Sequence, residues 1–253
     1  FFVPQLSRFI DSMLKFDKDV LTIGIVHEGG FGDRLILGAF AVAVKRKFPN
    51  SHITAIINNS IEPLEKHNVI NKVKLYKHVQ WWDKIEKDNK NRYDILYILK
   101  YVPKVIVNKN GLNKYKKSVD EIFSRYSDIY YESYGHNIPR SLQNLKKNSI
   151  DFLCECACLE GGQRDLSIKL TANDNKILLN LQTNKYITIH NGDFRGRGNK
   201  CWPTDSWKEL VKKMKKIGLS AVQLGVEHDE FVEGSYDLRG KTTIYEAAAI
   251  IKQ

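Results

Sequence analysis

The segment Ile25-Val26-His27-Glu28-Gly29-Gly30-Phe31-Gly32-Asp33-Arg34-Leu35 constrains this chain more than any other stretch. An apolar run at 20–26 reads as a β-strand, and the apolar-rich stretch 35–48 reads as a long helix. A strand that turns through Gly29, Gly30 and Gly32 into a helix N-terminus brings unpaired backbone N–H groups to a cleft. Such a turn suits a phosphate or an anionic transition state. The carboxylate of Asp33, fixed at that turn, is a candidate base, and the competing role for an aspartate there is a helix N-cap.

The remaining pattern is of the same kind. Residues 1–18 read as a short amphipathic helix, and further strands are expected at 52–57, 72–76, 93–99 and 104–107. This βαβα order predicts a parallel sheet covered by helices. From 115 to about 159 the pattern turns helical, and Gly161-Gly162 opens a polar stretch to Lys185 that reads as an inter-domain connection. A second α/β unit follows: a strand at 186–190, a loop of glycines and arginines, a helix ending at Gly218 and a strand at 219–224. The expected domains are 1–165 and 166–253. The chain begins without methionine and stops within an apolar-faced helix at 242–253, so the second domain is expected to be incomplete.

The formal charge of +11 and the pI near 9.3 suggest anionic partners. The excess concentrates between Lys100 and Lys147, a region that could lean on a phosphorylated or membrane-bound acceptor as a peripheral contact, or could be a solvated helical face. No apolar run reaches the roughly 20 residues that span a bilayer, and Phe1-Phe2-Val3 is too short for a signal-peptide core. A cytoplasmic protein is expected, working at the inner face of the membrane if the acceptor is a lipid. Cys154, Cys156 and Cys158 have poor spacing for a tetrahedral zinc site, so they read as reduced thiols, with no metal expected.

The motifs argue against two common nucleotide-binding classes. A dinucleotide fold needs G-x-G-x-x-G and an acid at the end of the second strand, whereas this chain has Gly29-Gly30-x-Gly32 and Asn58-Asn59. No G-x-x-x-x-G-K-[ST] is present. The second loop, 191–203, carries Gly192, Arg195, Arg197 and Lys200 ahead of a helix N-terminus, a set that can neutralise a leaving diphosphate. A mobile basic loop is the plainer alternative. His27 and His190 end strands and could line a cleft; Trp81-Trp82 and Tyr126, Tyr130, Tyr131 and Tyr134 could stack on sugars or pack in a core. Basic residues interleaved with tyrosines also fit nucleic acid, but no RNA- or DNA-binding motif accompanies them.

Taken in order, several of these features resemble glycosyltransferase family 9, which contains the ADP-heptose:lipopolysaccharide and autotransporter heptosyltransferases. They are Gly32-Asp33, the helix ending Lys45-Arg46-Lys47-Phe48-Pro49, the strand at His52, and Tyr186-Ile187-Thr188-Ile189-His190-Asn191-Gly192. The series continues with Lys200-x-Trp202-Pro203-x-x-x-Trp207-x-x-Leu210, Leu224-Gly225 and Asp237-Leu238-Arg239-Gly240-Lys241-Thr242. The resemblance implies a GT-B fold of two Rossmann-like domains with parallel sheets facing a cleft, the first binding the acceptor and the second a nucleotide sugar.

It further implies an inverting transfer of a heptose-like sugar from an ADP-sugar, used as substrate with no cofactor, to a glycolipid or protein hydroxyl. Asp33 is then the general base, Lys200 a donor-phosphate contact, and Glu227 or Asp229 the adenosine-ribose contact. Two departures stand out. Arg195 and Gly196 occupy a phosphate loop where the family often has small hydroxyl residues, and the family's D-[ST]-G-x-x-H-[LIV] motif is expected beyond Gln253. A non-catalytic nucleotide- or glycan-binding relative of the same fold is the alternative.

Overall fold

The computed structural model describes residues 20–58, 60–76, 82–100, 102–132, 148–161, 168–181, 185–192 and 201–253. The helix expected at 1–18 lies outside them. The chain divides into two compact units, Phe1–Lys169 and Leu170–Gln253.

The first unit is built on a five-stranded sheet of order β3-β2-β1-β4-β5. Its strands are β1 (Leu21–His27), β2 (Ser51–Ile57), β3 (Lys72–Leu75), β4 (Ile95–Leu99) and β5 (Lys104–Val107). Strand β1 pairs in parallel with β2 and with β4, Ile25 lying opposite Ala55 and Tyr97. The expectation of a wholly parallel sheet fails at one edge, because β5 runs antiparallel to β4. Only residues 100–103 join those two strands. That is far short of the dozen or so residues that a parallel crossover needs.

Strand alternation divides the core between the two sheet faces. Ile23, Ile25, Tyr97 and Leu99 meet Leu37, Phe40, Ala41 and Val44 of α1 (Phe31–Lys47), with Phe40 edge-on to Tyr97 at 5.2 Å between ring centroids. Val26, Ile56, Leu96 and Ile98 pack on the opposite face with Ile85 of α2 (Trp82–Asn89). Helix α3 (Asn113–Glu132) and helix α4 (Ser149–Cys156) add Val119 and Leu153 to the α1 side. Tyr115 Oη donates to the Ala157 carbonyl at 2.8 Å and lies 2.8 Å from Tyr97 Oη, which ties α3 to both α4 and the sheet. Cys154, Cys156, Cys158 and Cys201 are free thiols. Burial pushes Cys154 up to about 11, so it behaves as an inert core residue.

In the second unit β6 (Tyr186–Ile189), β7 (Ser220–Gln223) and β8 (Tyr236–Asp237) form a parallel sheet of order β6-β7-β8. The stretch read as an inter-domain connection does hold the boundary between the units, and its later part belongs to the second one. Helix α5 (Ala172–Asn175) is capped by Thr171 and Asp174, and Leu181 enters a core of Val222, Leu224, Leu238 and Ile250. On the other face, Ile189, Ala221 and Val232 pack against Val211 and Met214 of α6 (Thr204–Lys216). Helix α7 (Ile244–Lys252) is capped by Thr243, whose hydroxyl accepts from the Glu246 N–H at 3.2 Å.

Candidate functional site

The first site grows from the carboxyl end of β1. Helix α1 starts at Phe31, four residues earlier than its apolar pattern suggests, because Asp33 turns back to satisfy the helix start. Its Oδ2 accepts from the Gly30 N–H at 2.7 Å, so Asp33 caps from the third helical position and Gly30 is the N-cap residue. Oδ1 has no hydrogen bond from any described residue, and the Asp33 side chain is 46% exposed. One carboxylate oxygen is thus fixed at the helix start, and the other lies on the side of His27.

The three glycines of the turn do different things. Gly29 has φ +146°, and a Cβ there would lie 2.2 Å from Asp33 Oδ2, so only glycine fits. A Cβ at Gly30 would stand 3.8 Å from Oδ2, and at Gly32 it would meet open space. The His27 Nε2 lies 3.9 Å from Asp33 Oδ1. Burial pushes the imidazole below its usual value, against the pull of Asp33 and of the Leu99 carbonyl, so His27 is a neutral wall of the turn. Next to Asp33, Arg34 Nε donates to the Glu62 carbonyl at 2.6 Å and its guanidinium lies 5.5 Å from the centre of the Phe31 ring.

The second site gathers at the carboxyl ends of β6 and β7. Gln223, wholly buried in β7, donates from Nε2 to Asn191 Oδ1 at 2.7 Å and to the Glu230 carbonyl at 2.8 Å. Its Oε1 accepts from the Val232 N–H at 2.8 Å. Asp229 is 3% exposed in its side chain; it accepts from the Val226 N–H at 2.8 Å and lies 3.2 Å from His190 Nε2. A Cβ at Gly192 would fall 1.8 Å from Asp229 Oδ1, and one at Gly225 2.2 Å from Oδ2. Gly192 is therefore a niche for the Asp229 carboxylate as well as a member of the basic loop.

Asp229 is consequently spent on holding two loops together. Of the two ribose candidates, Glu227 is the exposed one. Arg239 reinforces the same region: it pairs with Asp237 at 2.8 Å, donates to the Asp229 carbonyl and sits 5.1 Å from the Phe231 ring centre. The guanidinium holds the Asp237 carboxyl down at about 2. A cavity of about 420 Å³ opens beside this framework, lined by Ile189, His190, Leu224, Gly225, Val226, Thr242, Thr243 and Ala247 among others. It is an apolar pocket with a few polar groups at its rim, outside the carboxyl ends of parallel strands, where α/β folds take ligands.

Not every candidate from the sequence falls on described residues. Arg195, Arg197 and Lys200 lie outside them, as do Trp81, Tyr134, Arg140, Lys146 and Lys147. Along α3, Lys116 pairs with Asp120, and Lys117 lies 3.9 Å from Glu121, the arrangement of a solvated helical face. Tyr126 packs edge-on against Phe152 at 5.6 Å between centroids. Among the described residues no group of three His, Cys, Asp or Glu could hold a metal ion, and no helix is long and apolar enough to cross a membrane. Sequence reasoning missed Arg34, Gln223 and Asn191. A glutamine inside the apolar run Ala221-Val222-Gln223-Leu224 was the available signal.

No family model and no curated protein matches the sequence. Solved structures do match the fold. A glycosyl transferase family 9 protein from Veillonella parvula DSM 2008 gives a TM-score of 0.57 at 16% identity, over 90% of this chain and 72% of that one. The E. coli ADP-heptose LPS heptosyltransferase II gives 0.52 at 15% identity, over 91% and 76%. The E. coli heptosyltransferase WaaC, solved with ADP, gives 0.50 at 12% identity, over 91% and 78%. This chain has a GT-B-like fold of two Rossmann-like units. What is shared at these identities is the architecture.

Proposed function

We propose that this chain is an inverting glycosyltransferase that moves a heptose-like sugar from an ADP-sugar to a hydroxyl of an anionic glycolipid or protein acceptor. The observation that carries the reading is Asp33: Oδ2 is held by the Gly30 N–H at 2.7 Å while Oδ1 has no hydrogen bond from any described residue, at the carboxyl end of β1 in a GT-B-like fold. A carboxylate oriented by one oxygen and free at the other suits a general base, an effect worth about 10²–10⁴-fold.

In this mechanism Asp33 Oδ1 takes the proton of the acceptor hydroxyl as its oxygen attacks the anomeric carbon. The bond from that carbon to the diphosphate breaks, ADP leaves with the electron pair, and the configuration inverts. Lys200, with Arg195 and Arg197, neutralises the leaving diphosphate, and Glu227 holds the ribose while the cavity at Leu224, Val226 and Thr242 receives the base. Residues 1–165 bind the acceptor and residues 166–253 the donor. No nucleic acid takes part, and the enzyme works on the cytoplasmic side, against the membrane when the acceptor is a lipid.

ADP titrated into isotope-labelled protein tests the donor half. Amide resonances of Ile189, Leu224, Val226 and Thr242 are expected to move with ADP. Their indifference to ADP would overturn the nucleotide-sugar reading.

A further inference from the structure

Helix α6 meets its sheet through Trp207, Leu210, Val211 and Met214, which leaves the opposite side to solvent. On that side the last turns carry Lys212, Lys213, Lys215 and Lys216, four lysines in a run of five positions and all exposed. The earlier Lys208 lies 3.5 Å from Asp205, and Lys213 pairs with Glu209 at 2.8 Å. Among the described residues no ion pair involves Lys212, Lys215 or Lys216. Cations near a helix C-terminus oppose its dipole, which accounts for some of this charge. It does not account for Ile217, which stands 74% exposed at the end of the lysine run although Gly218, with φ +76°, already stops the helix. The chain then turns back into the sheet: the Leu219 N–H donates to the Met214 carbonyl and the Ser220 N–H to the Lys185 carbonyl, each at 3.0 Å. Exposed Lys185 thereby joins the same end of the unit, the amino end of β6 and β7, where Tyr186 lies opposite Ser220.

We infer that this end of the second unit docks on an anionic lipid bilayer, with Lys185, Lys212, Lys215 and Lys216 over the headgroup phosphates and Ile217 entering the acyl boundary. Charge and an apolar anchor act together at such a surface: each lysine adds about fivefold to the partition, and the apolar group sets the depth. A nucleic acid offers the same phosphates but no use for Ile217, and these residues include no aromatic ring on which a base could stack. Helix α3 is the poorer candidate, since Lys116 and Lys117 there are matched by Asp120 and Glu121. The inference rests on the glycosyl-transfer reading and deepens it, by naming the surface that meets the membrane when the acceptor is a lipid. Strand β7 has 4 residues and spans about 13 Å, and the cavity lies past its carboxyl end at Leu224, Gly225 and Val226. With the amino ends of the strands on the bilayer, that cavity opens to the aqueous phase that supplies an ADP-sugar.

The test is co-sedimentation of the full chain with vesicles of phosphatidylcholine alone and of phosphatidylcholine with about one-third phosphatidylglycerol. The chain is expected to partition onto the anionic vesicles and not the neutral ones. The triple variant Lys212→Gln, Lys215→Gln, Lys216→Gln should weaken that partition by about 100-fold, three lysines at about fivefold each. A control triple on α3, Lys114→Gln, Lys116→Gln, Lys117→Gln, removes the same charge and should bind as wild type does. Ile217→Ser keeps every charge and should lose several-fold, most visibly at high salt where the lysines are screened. No partition onto anionic vesicles, equal partition onto both kinds, or an equal loss in the two triples would overturn the docking surface. So would Ile217→Ser that binds as wild type does, or binding to a DNA duplex with none to vesicles. If the α6 triple does not fold, Lys212→Gln and Lys216→Gln decide singly, at about fivefold each. ADP titrated into the same protein separates the two readings: an ADP response at Leu224 and Thr242 without vesicle binding sinks the docking surface only, whereas no ADP response sinks the glycosyl-transfer reading itself.

Discussion

Replacing Gly192 with alanine puts a methyl group where a carboxylate already sits. The added Cβ would fall 1.8 Å from Asp229 Oδ1, and Asp229 cannot simply swing outward, since its side chain is 3% exposed and accepts from the Val226 N–H at 2.8 Å. Displacing it strands a donor, at about 1–3 kcal/mol, and forces an overpacked contact worth a further 1–3 kcal/mol or so. Gly192→Ala is therefore expected to lose roughly 3 kcal/mol in the second unit, read by denaturant unfolding on the fluorescence of Trp202 and Trp207. Asp229→Ala alone loses the 1–3 kcal/mol of the stranded donor but removes the collision. The double variant should then match Asp229→Ala to within about 0.5 kcal/mol. Gly192→Ala as stable as wild type, or penalties that simply add, would refute the packing argument.

Three further outcomes are open to measurement. Lys200→Ala is expected to weaken ADP binding by roughly 1.5–3 kcal/mol in calorimetry if the lysine meets the diphosphate, and unchanged affinity would remove it from the donor site. Ala247→Phe fills part of the 420 Å³ cavity and should abolish the ADP response of the second unit while leaving the first unit's unfolding unchanged. The third concerns pH. His27 is held below 6.5 by burial, so the unfolded chain takes up its proton first. The contribution of neutral His27 is whole above 6.5 and is lost as pH falls from there through the folded-state value. Asp237 behaves likewise lower down: its contribution is whole above 3.8 and is lost as pH falls through about 2. Unfolding free energy that stays flat between neutral pH and about pH 5 would contradict the account of His27.

Much of this was legible because local and tertiary preferences agree. The β1 run, the glycine turn and the Leu37 to Val44 face of α1 specify one element order, and Gly218, with φ +76°, stops α6 where the sequence indicates. The misreadings are equally physical. The direction of β5 was within reach of the sequence: strands expected at 93–99 and 104–107 leave only residues 100–103 between them, too short for a parallel crossover, but the βαβα order was read as parallel throughout. The boundary between the units, Lys169 to Leu170, does fall within the stretch read as a connection, but polarity hid the structure of its later part, where Thr171 and Asp174 are cap residues and Leu181 is core. Asp33 was read as cap or base; the structure shows the cap, with Oδ2 on the Gly30 N–H, and the base is what we propose for Oδ1. Asp229 and Glu227 were indistinguishable in sequence, because only the fold shows that Gly192 and Gly225 make the niche that buries Asp229.

The most direct test is Asp33→Asn in glycosyl transfer from an ADP-sugar. Asparagine can still offer an oxygen to the Gly30 N–H at the helix start, so folding and ADP affinity are expected to stay near wild type. It cannot take a proton from a hydroxyl at neutral pH, so turnover should fall by about 10²-fold or more. A folded Asp33→Asn protein whose turnover stays within a few fold of wild type would contradict the account, leaving Asp33 as a helix cap and the base elsewhere.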